Sequence, residues 1–242
     1  MQAFALRRAD AVIAVSAPLV RRLTEARVAR DKIHLIPNGF APSNAVLTRN
    51  AARQQLGLTA DASIVGWVGR LSREKGGDVM LEALAASDPS WKLSMIGDGP
   101  ERDKLIEQAA RLDLKERVRW HGAVPDAGSL LAAFDAFVLS SRTEGTPITL
   151  LEAMDVCVPI VATHVGGVPD VVTSEHALLV PPEQPRAIAT ALAEVKRDRS
   201  GAVHRSKLAR ERLTHVFSAS AWLDAVDAVY RAARTSTDRA GK

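Results

Sequence analysis

The chain has 242 residues, of which 47% are hydrophobic and 25% charged, and its formal net charge is +4. This is the composition of a globular protein with a sizeable core. It excludes a disulfide framework, because Cys157 is the single cysteine, and a spanning helix, because no stretch reaches about 18 apolar residues. Nucleic acid is not indicated, since only 4% of residues are aromatic, whereas anionic phosphates or an anionic membrane surface suit the mildly basic balance.

The N-terminal stretch MQAFALRRADAVIAV has early charges and no long apolar core, so it matches neither a secretory signal nor a spanning helix. The lone cysteine suits a reducing compartment, and we expect it to fill core space in a buried turn. We predict a cytoplasmic protein and leave peripheral contact at the inner membrane open.

Eight short runs rich in β-branched residues predict strands. Most are continuous apolar runs without alternation, which is typical of parallel strands that are buried on both faces. The predicted strands are 11–16, 33–37, 63–69, 91–97, 117–122, 135–140, 159–163 and 177–181.

Helical patterns fall between these strands. The predicted helices are 17–28, 74–86, 100–112, 128–134, 147–155, 185–197 and 219–233. This strict alternation predicts an α/β fold with a doubly wound parallel sheet, which is a Rossmann-like domain. Ligands of such sheets bind outside the carboxyl ends of the strands, so the loops there are candidate binding loops.

The stretch 38–62 interrupts the alternation of strands and helices. It is rich in Asn, Ala, Pro and Gly, which predicts a linker with a short helix. We therefore divide the chain into three segments. Residues 1–47 are the end of another unit and a linker, residues 48–203 are one complete α/β domain, and residues 204–242 are closing helices and a tail.

The motif EGTPITLLE contains a predicted helix start, with Thr146 as N-cap and Pro147 in the first helical position. The backbone N–H groups of Ile148 and Thr149 then lack intrahelical acceptors. Together with the positive end of the helix dipole they predict an anion site at the mouth of the sheet.

Glu152 shares a helix face with Ile148 and Thr149, and its immediate neighbours are apolar. A carboxylate held there needs hydrogen bonds, which a ribose diol could donate. Glu144 precedes the helix and could reach a group beyond the phosphates. The residues alone leave open the simpler interpretation of a capping acid and a surface glutamate.

A second loop carries cations. The segment GWVGRLSREKGG ends a strand at Gly69 and then presents Arg70 and Lys75 at the same end of the sheet. Two cations opposite a helix N-terminus could clamp a diphosphate. The segment GDGPERDKL is not a dinucleotide fingerprint, because Arg102 stands where the third glycine belongs.

Four segments occur in order: GRLSREKGGDVMLEAL, MIGDGPERDKL, FVLSSRTEGTPITLLEAM and PIVATHVGGVPDVV. Together they resemble the donor-binding half of a retaining glycosyltransferase of family 4, whose GT-B fold has two facing Rossmann-like domains. The E-x7-E element of that family is met by Glu144 and Glu152. The openings ADAVIAVSAPLVRRL and KIHLIPNGF resemble the place where the family's first domain ends.

The resemblance implies the following roles. Arg70 and Lys75 would hold the donor diphosphate, Glu152 the ribose, and Glu144 the transferred sugar. The helix start at Thr146, Ile148 and Thr149 would take phosphate, and the segment from His121 to Val124 would touch the base through main-chain atoms. The donor would be a UDP- or GDP-sugar. Its sugar would be transferred with retention of the anomeric configuration, and no metal or other cofactor would be required.

One departure is serious, because only about 40 residues of the family's acceptor domain are present. Two interpretations follow: a transferase whose acceptor domain lies elsewhere, or a nucleotide-sugar-binding module without turnover of its own. A third, an NAD-dependent oxidoreductase, is disfavoured by the incomplete glycine fingerprint. We expect exposed apolar surface on residues 1–40 and on the last helix, for self-association or an acceptor-domain partner. The acceptor, whether glycan, lipid or small molecule, is not indicated.

Overall fold

The structure is a computed structural model that describes residues 2–42 and 47–240. Its strands are β1 (Val12–Ala14), β2 (Ile33–Leu35), β3 (Ser63–Val68), β4 (Trp91–Ile96), β5 (Val118–Trp120), β6 (Ala136–Leu139), β7 (Ile160–Thr163) and β8 (Leu178–Val180). Each lies within one of the eight predicted strands.

Ten α-helices lie in the described residues. They are α1 (Gln2–Arg8), α2 (Ala17–Glu25), α3 (Arg49–Gln55), α4 (Gly77–Ala85), α5 (Arg102–Arg111), α6 (Ile148–Asp155), α7 (Val168–Val171), α8 (Pro185–Arg197), α9 (Arg199–Val216) and α10 (Ala219–Ala240). Short 3₁₀ helices cover Arg30–Lys32, Arg73–Lys75 and Ala127–Ala133.

The main sheet confirms the predicted fold class. Six parallel strands run in the order β5-β4-β3-β6-β7-β8, which is the Rossmann order 3-2-1-4-5-6. The order reverses between β3 and β6, whose loops therefore diverge to opposite sides of the sheet. That reversal is the topological switch point where such folds hold their ligands.

Two apolar layers sandwich the sheet. One packs α4, α5 and α8 on one face, and the other packs α6, α9 and the 127–133 helix on the opposite face. The strand interiors are almost wholly buried, as in β6 and β7, where every residue is buried. This two-sided burial is why the strands read as continuous apolar runs without alternation.

The structure corrects three local predictions. The segment predicted as an α-helix at 128–134 is a 3₁₀ helix at Ala127–Ala133. The terminal helix continues to Ala240, into the segment predicted as a tail. Cys157 is only half-buried and adopts a positive φ of 53°, so it does not fill core space.

The proposed segment boundaries stay predictions. Part of the predicted linker, residues 43–46, lies outside the described residues. The second boundary, after residue 203, falls inside α9 (Arg199–Val216), whose Ala202, Ala209 and Leu213 are buried in the two apolar layers of the α/β domain.

The N-terminal unit forms a small layer of its own. Strands β1 and β2 pair in parallel, and Ala14, Leu23 and Val28 form a separate small core. This unit lies over the carboxyl edge of the main sheet, since Thr146 Oγ1 donates to the Val15 carbonyl at 2.6 Å and the Ala17 N–H donates to Asp170 Oδ2 at 2.8 Å.

Exposed apolar side chains occur where the sequence predicted them. Phe4 and Leu35 in the N-terminal unit, and Leu223 and Tyr230 on α10, are each more than half exposed. Within the described residues, no helix is long and apolar enough to cross a membrane.

Candidate functional site

The loops after β3 and β6 bring Lys75 and Glu144 together at the switch point. Lys75 Nζ lies 2.7 Å from Glu144 Oε1 and donates to Oε2 at 3.0 Å. The Glu144 side chain is 5% exposed and that of Lys75 is 31% exposed, so a nearly buried carboxylate meets a cation that still faces solvent. The sequence predicted both residues for the site, but it did not predict their contact.

Two adjacent serines hold this pair. Ser140 Oγ donates to the Gly76 carbonyl at 2.7 Å and accepts from Trp67 Nε1 at 3.0 Å, which fixes the end of the Lys75 loop. Ser141 Oγ donates to Glu144 Oε1 at 2.6 Å. Sequence reasoning missed both serines, although two small polar residues directly after an apolar strand are a usable signal.

Glycines allow the loops to approach closely. Gly76 has a φ of 65°, and a Cβ there would lie 2.1 Å from the Ser140 carbonyl oxygen. Gly166 has a φ of 53°, and its Cβ would lie 2.0 Å from the Glu144 carbonyl oxygen, which accepts from the Gly167 N–H at 3.1 Å. Larger residues at either glycine would push the site apart.

Arg70 lies on the same loop as Lys75 and is exposed. Its side chain makes no hydrogen bond or ion pair in the described part of the chain. The Gly69 N–H donates to the Ile96 carbonyl at 3.0 Å, which extends the sheet one residue beyond β3. The loop therefore leaves the sheet at Gly69 and presents Arg70 at its rim.

The helix start differs from the prediction at Thr146. Helix α6 begins at Ile148 with Pro147 in the cap position, and Thr146 makes no capping hydrogen bond. Its hydroxyl instead donates to Val15 of the N-terminal unit, a tertiary contact that no local pattern reveals. Ile148 is 44% exposed, so the first turn of α6 is open, and the N–H groups of Ile148 and Thr149 lack intrahelical acceptors.

Glu152 lies one turn further along α6 and lines a cavity of about 130 Å³ with Asp126 and Gly128. Burial, and then the charge of Asp126, raise the pKa of Glu152. No hydrogen bond to its carboxylate is present in residues 2–42 and 47–240. A Cβ on Gly128 would lie 2.7 Å from the carboxylate, so a larger residue there would displace the Glu152 side chain. Sequence reasoning missed both Asp126 and Gly128.

The segment after β5 is anchored by His121. Its Nε2 lies 2.9 Å from Ser94 Oγ, and burial, with a contribution from Arg119, lowers its pKa, which favours the neutral ring. Val124 packs in part against the core layer that contains α6. The predicted main-chain contact of this segment with a base stays a prediction.

An Arg142 network borders the site. Arg142 binds Asp78 through both terminal nitrogens, at 2.9 and 2.8 Å, and reaches Glu183 at 2.9 Å. The hydrogen bonds that Arg142 donates to Asp78 raise the pKa of Arg142. Among the described residues, no group of three or more His, Cys, Asp or Glu side chains could hold a metal ion.

A Rossmann-order sheet with a cation–carboxylate pair at its switch point, and with a second β/α unit over its carboxyl edge, defines the donor-side half of a GT-B protein. The family model described as "Glycosyl transferases group 1" matches residues 48–212, and "Glycosyltransferase Family 4" matches residues 1–44. The chain belongs to the group 1 glycosyltransferase family.

Curated relatives agree with this assignment. The lipopolysaccharide core biosynthesis mannosyltransferase LpsB of Rhizobium meliloti is 30% identical over 239 residues, covering 94% of this chain and 67% of the relative. The putative teichuronic acid biosynthesis glycosyltransferase TuaC of Bacillus subtilis is 33% identical over 153 residues, covering 62% of this chain and 37% of the relative.

A solved structure shows the same fold. Anabaena Alr3699/HepE in complex with UDP-glucose superposes with a TM-score of 0.84 at 26% identity, covering 96% of this chain and 65% of that one. The chain thus spans between about a third and two thirds of the length of these three proteins.

Proposed function

We propose that the chain is the donor-binding part of a transferase that moves a sugar from a nucleoside-diphosphate sugar to an acceptor with retention of configuration. The observation that carries the proposal is the Lys75–Glu144 pair at the switch point, 2.7 Å apart, beside exposed Arg70 and the open first turn of α6. The chain is similar to enzymes that are named for teichuronic acid and lipopolysaccharide core synthesis. This similarity supports a role in glycan, polysaccharide or glycolipid synthesis.

The diphosphate would lie between Arg70, Lys75 and the first N–H groups of α6. These groups supply the guanidinium of Arg70, the ammonium of Lys75 that is paired with Glu144, and the positive end of a helix dipole. When the bond to the sugar breaks, negative charge develops on the diphosphate. Cations that are already in place stabilise that charge without reorganising, and this would be the main catalytic contribution.

The ribose would lie at Glu152. Its carboxylate has no hydrogen-bond donor among the described residues, and burial raises its pKa, so ionisation of this carboxyl group is costly among its protein neighbours. Two ribose hydroxyls would donate to the two carboxylate oxygens and offset that cost. Glycine at 128 leaves the space beside the carboxylate that such a ligand needs.

The transferred sugar would lie at Glu144. One carboxylate oxygen accepts from both Lys75 and Ser141, and the other accepts from Lys75. A carboxylate fixed in this way can accept from a sugar hydroxyl in a defined direction. The same lysine then links the sugar subsite to the diphosphate subsite.

The donor is proposed to be a UDP- or GDP-sugar, since HepE is solved with UDP-glucose and LpsB is a mannosyltransferase by name. We propose no metal or other cofactor, because two cations and a helix dipole already face the diphosphate. Location in the cytoplasm, with peripheral contact at the inner membrane, also belongs to this proposal.

The second candidate is a nucleotide-sugar-binding module without turnover of its own. The structural match covers 65% of the HepE chain. An acceptor-domain partner or self-association over the exposed apolar side chains of α10 would then complete the cleft. Both walls of such a cleft are needed to exclude water and to position an acceptor.

Saturation-transfer NMR with UDP-glucose and a GDP-sugar tests the proposal, because it reports which ligand protons contact the protein. We expect signals on ribose and sugar protons of one donor, and loss of these signals in Glu152→Gln. A folded chain that transfers saturation to neither donor would contradict the proposal. Release of α-configured sugar on incubation would separate a transferase from a binding module.

A further inference from the structure

A second basic cavity lies at the amino-terminal edge of the sheet, away from the candidate site. It has a volume of about 280 Å³ and lies between the amino ends of β4 and β5 and the turn after α3. Its charged lining residues are Lys92, Lys115, Glu116, Arg117 and Arg119. Four cations therefore face one carboxylate.

Strand alternation explains why these cations reach solvent. On one sheet face, Leu93 of β4 and Val118 of β5 pair in register and join the core covered by α4 and α5. Their chain neighbours Lys92 and Arg119 point to the opposite face, where both are exposed. The second apolar layer borders this corner of the sheet with Leu58 and Ile64, which also line the cavity.

The two arginines are held in place by hydrogen bonds to backbone carbonyls. Arg117 donates from Nε to the Trp91 carbonyl at 3.1 Å and from Nη2 to the Leu84 carbonyl at 3.0 Å. Arg119 Nη1 donates to the Gly57 carbonyl at 2.7 Å. Carbonyl oxygens orient a guanidinium but do not cancel its charge. Because the charge of Asp88 also acts on Arg117, Arg119 supplies the oriented positive charge of the cavity.

Gly57 allows the close approach of Arg119 to the backbone. Its φ is 59°, and a Cβ at this position would lie 2.6 Å from Arg119 Nη2. Lys92 and Lys115 are exposed, and neither makes an ion pair in the described part of the chain. They are free to move toward an anion that the arginines have already attracted.

The geometry points to a second anion site in this cavity, which binds a phosphate-bearing ligand. Phosphate suits planar, oriented guanidinium groups with flexible ammonium groups around them. The N-terminal unit lies over the opposite, carboxyl edge of the sheet, so it leaves this cavity open. The ligand could be a soluble phosphate compound or a lipid headgroup, which share the same chemistry.

The test uses the full chain with Arg70→Ala and Lys75→Ala, so that the candidate donor site does not contribute. Inorganic phosphate and pyrophosphate are titrated by calorimetry, and amide shifts are followed by NMR. Vesicles of phosphatidylglycerol, with phosphatidylcholine as control, are tested by flotation. The variant Lys92→Gln, Lys115→Gln is compared with Lys207→Gln, an exposed cation on α9.

We expect saturable binding of one anion, shifts at Gly57 and Arg119, and roughly tenfold weaker binding in the double variant but not in Lys207→Gln. If only phosphatidylglycerol vesicles bind, with the same dependence on Lys92 and Lys115, the ligand is a headgroup. Absence of binding to both probes, or equal loss in Lys207→Gln, would overturn the proposal.

Discussion

Lys75 and Glu144 are 69 positions apart in the chain, yet their charged groups meet at 2.7 Å. They meet because β3 and β6 are neighbours in the sheet and each strand's loop begins at the same edge. The pair therefore depends on strand order rather than on local sequence, and it links the two loops that the proposed function requires.

Replacement of Lys75 by Ala should weaken binding of a nucleoside diphosphate by about ten- to a hundredfold, because a charge-assisted hydrogen bond contributes about 1.5–3 kcal/mol. Binding of the nucleoside alone should change little. Calorimetry with both ligands measures the difference, and Lys207→Ala is the control for loss of one positive charge. Equal losses for nucleoside and diphosphate would argue against a clamp.

Substitutions of Ser140 and Ser141 should distinguish the binding of the diphosphate from the binding of the sugar. Ser141→Ala frees Glu144 and should weaken UDP-glucose by about three- to tenfold, since a hydrogen bond contributes about 1 kcal/mol, while UDP binding stays the same. Ser140→Ala frees the Gly76 end of the Lys75 loop and should weaken UDP and UDP-glucose alike. If both variants gave the same pattern, the assignment of Glu144 to the sugar would be wrong.

Glu152→Gln should stabilise the empty protein while weakening nucleotide binding. Because the pKa of Glu152 is raised on folding, its contribution to stability is complete below the unfolded pKa, near 4.3, and is lost as pH rises through the folded pKa. The variant should therefore raise Tm by about 1–4 °C at pH 7 and show no difference near pH 4. A lower Tm at pH 7 would contradict this account.

Asp135 should be a major contributor to stability at the amino-terminal edge. It pairs with Arg53 at 2.9 Å, Arg49 at 2.6 Å and Arg199 at 3.1 Å, and accepts from the Ile64 N–H at 2.8 Å. Because Arg53 is 2% exposed, Asp135→Ala leaves a buried charge unpaired and should cost about 3–5 kcal/mol in urea unfolding.

The control for Asp135 is Glu194→Ala, whose partner Arg205 lies at 3.4 Å and is partly exposed, and we expect a loss below about 1 kcal/mol. Burial alone would raise the pKa of Asp135, but the Ile64 N–H and Arg49 outweigh it and lower the pKa. This stability is present above the unfolded pKa, near 3.9, and is lost as pH falls through the folded pKa. Similar losses in both variants would contradict the account.

The sequence predicted the elements and failed on contacts between them. Strands such as β3 and β6 are buried on both faces and are therefore continuous apolar runs, which the local sequence is enough to predict. The Lys75–Glu144 contact depends on strand order, which no local pattern encodes. Thr146 is a residue type that often caps helices, but its hydroxyl donates instead to the backbone carbonyl of Val15, which is distant in sequence. Gly128 was missed because its role appears only when Glu152 lies beside it.

The most direct test of the central claim is calorimetric titration of the chain with UDP, GDP and ADP, alongside Glu152→Gln. We predict that one nucleotide binds and that the variant loses at least about tenfold in affinity, because the ribose loses its carboxylate acceptor. That result would identify the base and establish a working donor half. A folded chain that binds none of the three, or a variant that binds as tightly as the original, would contradict the claim.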